Sequence, residues 1–450
     1  MLLRKFTFSV GLLCLTWGAS GSWAQDEQSA SVPATAILPA QTIGFQDGTE
    51  VSEDPSLSAY LKELQAARAA LEPLRKKAPY QEGKPLVLEG SRQILGFTAL
   101  ANNELAVISG KARSYGAMAA IKRMFVKEPP NELLWLDAKG EVVRSAELPF
   151  LPAAVNVAPD GVIYVAGEGK VASFAADGKQ IAVVDSPHIA AIVKNRTQFE
   201  VEMRARRDAE LASTRESLTA AEEAVKVLQE KPEDQRTPDE KSELEMYRDS
   251  VSSLKAHLAR QEKQSIEQYL DATLPEVREI FCVAASEQDI FLVTRQLGSY
   301  GFAVWRMSRD FADATQIITG LVGCCGQMDV QVLKGTLFVA ENARHRVVRY
   351  DREGKQLLTF GSADRSDVEK GFGSCCNPMN TCFTADGDIL TAESNGVVKR
   401  FKIDGQFVEV VGIAKIQEGC KSSSICLSTD GARLYYFDVE QGRLLVLSRS

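Results

Sequence analysis

The chain has 450 residues, 45% hydrophobic and 25% charged, enough apolar material for a sizeable core and too much for wholesale disorder. A formal charge of −8 excludes a concentrated basic surface, and with it a nucleic-acid binder held by phosphate contacts. The short basic cluster RARR at 204–207 sits in mixed charge and reads as a solvated helix face.

In chain order, residues 1–24 read as a signal peptide. Arg4 and Lys5 precede an apolar run from Phe6 to Trp17, and Ser22-Trp23-Ala24 supplies a small-x-small cleavage pattern before Gln25. The run falls short of the roughly 20 apolar residues a spanning helix needs. The expectation is an exported chain, periplasmic, extracellular or at the cell surface, with an uncleaved anchor as the alternative and Cys14 leaving with the leader. Residues 25–55, rich in Ser, Pro, Ala, Thr and acidic residues, read as a disordered linker. Over 56–78 the spacing of Leu57, Leu61, Leu64, Leu71 and Leu74 predicts a helix, with Lys76-Lys77 favouring its negative end.

From 85 to 192 the period changes to short alternating apolar runs broken by Asp-Gly or Lys-Gly turns, which predicts strand, turn and strand in repetition. From 193 to 272 it is helical again. Leu211, Thr214, Leu218, Ala221, Val225 and Leu228 form one three-four seam, and Leu244, Tyr247, Val251, Leu254 and Leu258 form a second. Between them, Thr237 before Pro238 with Glu240 three positions on is a capping box, which fixes where the second helix starts. Two seams across a short loop predict an antiparallel coiled-coil hairpin, a solvated rod inserted between strand-rich parts. It reads as a spacer or as a surface for a partner or for self-association.

From 273 to 450 the strands return with a legible repeat. GTLFVAENARHRVVRYDREGKQLLTFG (335–361) and GDILTAESNGVVKRFKIDGQFVEVVG (387–412) share strand, Ala-Glu turn, strand, Asp-containing turn and strand; GARLYYFDVEQGRLLVLSRS (431–450) fits the first half. A period of roughly 45–50 residues with several strands per unit predicts propeller blades, because one blade cannot bury its own faces. The two strand-rich parts must then close one ring across the helices, with a strand near 85–98 pairing with the last blade to cover its edge.

These segments, and more weakly IYVAGEGKVASFAADGKQIAVV, resemble repeats of the NHL type, and His345-Arg346-Val347 matches their central motif. The resemblance implies a mainly β fold, a six-bladed β-propeller. Such propellers serve mostly as binding platforms, and a minority are enzymes using a metal or polar residues at the central channel. Nothing in the matched motif is catalytic.

Of nine cysteines, eight remain after the leader, all between 282 and 426. Aligned by repeat, Cys324, Cys325, Cys375, Cys376 and Cys420 fall in loops entering inner strands, while Cys282, Cys382 and Cys426 fall on the strands. Three readings stay open: disulfides bracing neighbouring loops, a thiolate site for copper(I), zinc or an iron–sulfur centre, and a redox-active thiol pair. Asp329, Asn380 and Ser424 take equivalent places after the cysteine loops and are candidates to line the channel mouth. His188, His257 and His345 read as structural or solvated, and no nucleophile elbow, phosphate loop or zinc-protease motif occurs. The combined expectation is an exported binding or scaffold protein, engaging a protein or small molecule through its cysteine-bearing face, its rod or both. The alternative is a metal- or thiol-dependent redox enzyme.

Overall fold

The computed structural model describes residues 69–450 apart from 91, 112–128, 298–300, 325, 365–366, 368–370, 374–375 and 418–421. The leader, the linker, the first part of the 56–78 helix and Cys325, Cys375 and Cys420 lie outside the described residues; 69–77 are helical.

The strands form six four-stranded antiparallel sheets, an arrangement that fits a six-bladed β-propeller. Sheet 1 runs through Ile94–Ala99, Leu105–Ser109, Glu132–Leu136 and Val142–Glu147; sheet 2 through Ala154–Val157, Ile163–Gly167, Lys170–Phe174 and Gln180–Asp185. Sheet 3 holds Ile280–Ala285, Asp289–Arg295, Phe302–Ser308 and Thr315–Leu321; sheet 4 holds Asp329–Leu333, Thr336–Glu341, Arg346–Tyr350 and Gln356–Phe360. Sheet 5 holds Asn380–Phe383, Ile389–Ala392, Val397–Phe401 and Phe407–Ile413. Sheet 6 is Ile425–Leu427, Arg433–Asp438 and Arg443–Arg449, completed by Tyr80–Glu82 from far upstream.

The residue pattern explains this order. Middle strands such as Leu105–Ser109, Glu132–Leu136 and Ile163–Gly167 are buried at every position, because both faces meet a neighbouring sheet; hence their unbroken apolar runs. Outer strands such as Val142–Glu147 are largely exposed. The first strands contact one another in a closed cycle, sheet 1 to 2, 3, 4, 5, 6 and back to 1. An apolar cluster fills each of the six junctions. Trp135 and Phe174 pack between sheets 1 and 2, Tyr164 and Leu292 between 2 and 3, Phe291 and Val339 between 3 and 4. Phe338 and Phe401 pack between 4 and 5, Leu390 and Tyr436 between 5 and 6, and Leu105 with Phe437 between 6 and 1. Each fully buried phenylalanine contributes about 1.5–3 kcal/mol, so opening any junction is costly.

The closing strand lies upstream of the expected 85–98. Tyr80 pairs with Arg449, Gln81 with Ser448 and Glu82 with Leu447. Leu86 makes one bridge to Leu444, and Ile94–Ala99 is instead the first strand of sheet 1. Burial of the Tyr80 ring, whose hydroxyl donates to the Gly431 carbonyl at 2.6 Å, selects the earlier segment.

Between sheets 2 and 3 the chain forms helices Pro187–Lys194, Arg196–Glu230, Pro238–Lys263 and Ile266–Val277. Residues Thr197–Thr273 belong to one compact unit and the sheets to another. Within the helical unit the ion pairs Arg215–Glu262 and Glu222–Lys255, with Lys231–Glu240 just past the first helix, link rising numbers on one side to falling numbers on the other, so the two long helices run antiparallel. The capping box forms: the Glu240 amide donates to Thr237 Oγ1 at 3.2 Å and the Thr237 amide to Glu240 Oε2 at 2.8 Å. The seam is only partly buried, with Leu211, Ala221 and Leu244 its most enclosed residues.

In the sheet-bearing unit, fully buried His188 joins the outgoing and returning chain. Its Nδ1 lies 2.9 Å from Ser186 Oγ and its Nε2 3.0 Å from the Val277 carbonyl. A carbonyl accepts only, so Nε2 carries the proton and Nδ1 accepts from the serine hydroxyl. Burial pushes the pKa of His188 down to about 4.

Candidate functional site

In antiparallel sheets the sheet-to-sheet connections and the second-to-third-strand turns share one end of the strands. At this connection end lie the described parts of the loops that enter sheets 4 and 5, and their placement rests on buried polar side chains supplied by the Ala-Glu turns of the repeat. Glu341, with no exposed surface, accepts the Val322 amide at 3.1 Å and pairs with Arg344 and Arg346. Its neighbour Asn342 accepts the Cys324 amide at 2.8 Å and donates to the Cys324 carbonyl at 3.1 Å.

One sheet on, Glu393 repeats the scheme more deeply. It accepts the Gly373 amide at 2.9 Å and pairs with Lys399 at 2.5 Å, both side chains being 1% exposed. Lys399 also donates to the Gly371 carbonyl and lies 5.2 Å from the Phe372 ring centroid. Asn377, whose bond to Pro378 is cis, donates to the Gly373 carbonyl and accepts the Ser394 amide at 2.7 Å. Burial raises the Glu393 carboxyl and Lys399 opposes that shift. Groups this enclosed hold a loop in one geometry, because every alternative leaves a charge or amide unpartnered in a dry interior.

Among the described residues two chords cross the ring. Gln327, ahead of sheet 4, donates to the Ser423 carbonyl at 2.7 Å and accepts the Ser423 amide at 3.0 Å, reaching the entry to sheet 6 past sheet 5. Asn156 of sheet 2 donates to Gln331 of sheet 4 at 3.1 Å, past sheet 3. Such bonds between non-adjacent sheets pass through the central side of the ring.

The three channel-mouth candidates occupy equivalent register positions: Asp329 opposite Ala340, Asn380 opposite Ala392, and Ser424 beside the Phe437 amide that its carbonyl accepts. Asp329 is buried with both carboxylate oxygens engaged. Oδ2 accepts the Thr381 amide at 2.8 Å and its hydroxyl at 3.0 Å; Oδ1 accepts Gln331 at 3.0 Å and faces the Cys282 thiol at 3.6 Å. Burial pushes its pKa up to about 6. Asn380 accepts the Ile425 amide at 2.9 Å. Both are braces between neighbouring inner strands, while Ser424 is half-buried.

The inner-strand cysteines follow one rule: each sulfur packs against the next sheet's first strand. Cys282 meets the Val330 carbonyl at 3.2 Å, Cys382 the Leu427 backbone and Cys426 the Ala99 backbone. All three are free thiols, and burial raises their pKa values, so they remain protonated packing groups. That removes these three of the nine cysteines from any bridge. Of the loop cysteines, Cys324 is half-buried and Cys376 is buried; Cys325, Cys375 and Cys420 lie outside the described residues. Among the described residues no three His, Cys, Asp or Glu side chains are grouped to hold a metal ion.

The roles of Gln327 and of the acidic turns lie beyond what the sequence pattern shows. For the turns the available signal is the repeated Ala-Glu pair; Gln327 carries none.

No family model and no curated protein matches the chain in sequence. Among solved structures it is similar to a calcium-binding protein, regucalcin, from Agrobacterium tumefaciens, at 11% identity over 81% of this chain and 93% of that one, with TM-score 0.38. It is also similar to a gluconolactonase from Xanthomonas campestris (11% identity, 82% and 98% covered, TM-score 0.39) and to the WD40 repeats of RRP9 (6%, 82% and 100%, TM-score 0.40). Likeness at this level bears neither on activity nor on fold, which stands on the strand order and the closed cycle.

Proposed function

We propose that the protein is an exported NHL-type propeller that works as a binding module, taking a protein partner or small ligand on the connection end where the cysteine loops gather. The observation that carries this reading is the pair of fully buried turn carboxylates, Glu341 and Glu393, which hold successive loops without joining any reactive constellation. Buried charge positioned so as to order loops serves recognition, since a preordered surface loses less entropy on binding. The antiparallel helices act, in this reading, as a coiled-coil hairpin rod offering a second surface. Among the described residues no helix is long and apolar enough to cross a membrane.

The five loop cysteines favour one second reading, a thiol- or metal-dependent redox protein, because soft ligands or thiol pairs supplied by neighbouring loops suit that chemistry. Elemental analysis together with thiol counting under non-reducing denaturation separates the two. The binding module contains no stoichiometric metal, and its thiols react only after unfolding. A bound metal at one per chain, or a thiol that reacts rapidly in the native protein, overturns it.

A further inference from the structure

At the opposite end of the strands, five of the six junctions are covered in the same way, by the third-to-fourth-strand turn of the following sheet. At junction 1/2 the Ala176 carbonyl accepts Arg144 at 3.1 Å. At 2/3 Arg309 pairs with Asp160 at 2.7 Å, and at 3/4 Arg352 pairs with Asp289 at 2.5 Å. At 4/5 Gly405, with φ of +86°, presses against Phe360 so closely that a Cβ there would lie 2.6 Å from the phenylalanine Cβ. At 6/1 the Ala138 carbonyl accepts Arg433, and Asn103 donates to Asp430 at 2.7 Å.

Among the described residues junction 5/6 has no such cover. Its following sheet is completed by Tyr80–Glu82, so its last two strands are joined by no turn. A cleft of about 250 Å³ opens there. Leu390, Val411, Leu427 and the Tyr80 ring supply its apolar lining. Of the charged lining groups, Arg400 is occupied by Asp388 at 2.6 Å and Glu409 at 3.5 Å, and Asp430 by its own turn and Asn103. Arg449 and Asp386 have no ion-pair or hydrogen-bond partner for their charged groups among the described residues. Asp386 is the more telling. At the same position of the equivalent turns, Asp160 and Asp430 each accept the amide two residues on, and Asp386 does not.

We propose that this seam cleft binds a small zwitterion with an apolar side group, the chemistry of an aliphatic α-amino acid. The apolar body lies on Leu390, Val411, Leu427 and Tyr80, the carboxylate pairs with Arg449, and the ammonium meets Asp386. A site of this size with a few convergent charges suits a ligand smaller than a cofactor, and an arginine–carboxylate pair gives it direction. The proposal is independent of the connection-end reading, since it concerns the other end of the strands.

Isothermal titration of the full chain with L-leucine, leucinamide and 4-methylpentanoate tests it. Leucine is expected to bind saturably, and leucinamide and 4-methylpentanoate about tenfold or more weakly, each lacking one charge. Arg449→Ala and Asp386→Ala, both at exposed positions, are expected to weaken leucine to a similar degree with unchanged melting temperature. No saturable binding of leucine at millimolar concentration overturns the proposal. So does binding that both variants leave unchanged.

Discussion

The two ends of the ring are built from the same residue types used in opposite ways. At the connection end, carboxylates and a lysine are buried: Glu341, Glu393 and Lys399 are at most 1% exposed and reach backbone groups of long loops. At the turn end, Arg309 and Asp160 meet at the surface, and the turns are short Asp-Gly units whose aspartates cap their own backbone. A buried charge is strongly destabilising if its partner goes, whereas an exposed pair is worth little. The Glu393–Lys399 pair is therefore far less replaceable than the Arg309–Asp160 pair, although the turn end also holds buried carboxylates at Asp289 and Asp388.

The harshest test of that contrast is Glu393→Ala. It strands Lys399 in a dry interior and is expected to cost about 3–5 kcal/mol in chemical denaturation, while replacing both partners by apolar residues recovers most of the loss. A cost near that of a surface pair would erase the distinction.

Next is a pH effect from His188, also on the connection end. Above pH 6.5 the ring is neutral in folded and unfolded chains alike. Below it the unfolded chain takes up a proton that the folded chain refuses until about pH 4. Stability is therefore expected to fall by about 3 kcal/mol as pH drops across that window, and the component should vanish in His188→Gln. Asp329 acts with the opposite sign: its raised pKa means that acidification from about 6 towards 4 relieves a penalty. Asp329→Asn places an amide donor among donors and is expected to cost about 1–3 kcal/mol, read from the same denaturation curves. At the turn end, Arg309→Ala should lie within about 1 kcal/mol of the parent.

Much of the ring is legible before any coordinates, because its causes are local. Asp-Gly turns and runs such as IYVAG and TLFVAE mark strands buried on both faces, and the Ala-Glu pairs at 340–341 and 392–393 set the period. The capping box at Thr237 is likewise a matter of three neighbouring residues. What escapes is non-local. Tyr80-Gln81-Glu82 has no alternation of its own and becomes a strand only because Arg443–Arg449 offers an edge. The Gln327–Ser423 chord joins residues 96 positions apart, and the seam cleft is a missing turn, visible only once sheet 6 is seen to be completed from upstream. Cysteine spacing shows the equivalence of Cys282, Cys382 and Cys426; that each thiol is buried against the next sheet depends on packing.

The central claim is that Tyr80–Glu82 seals six sheets into one ring. Pairing Gln81→Cys with Ser448→Cys, register partners across that seam, tests it most directly. Mild oxidation of the native protein should link the two new cysteines, as identified in digested peptides, and raise the midpoint of a single unfolding transition. Failure of the two to link in the native protein, or linkage that leaves sheet 6 unfolding apart from the rest, would contradict the closed ring.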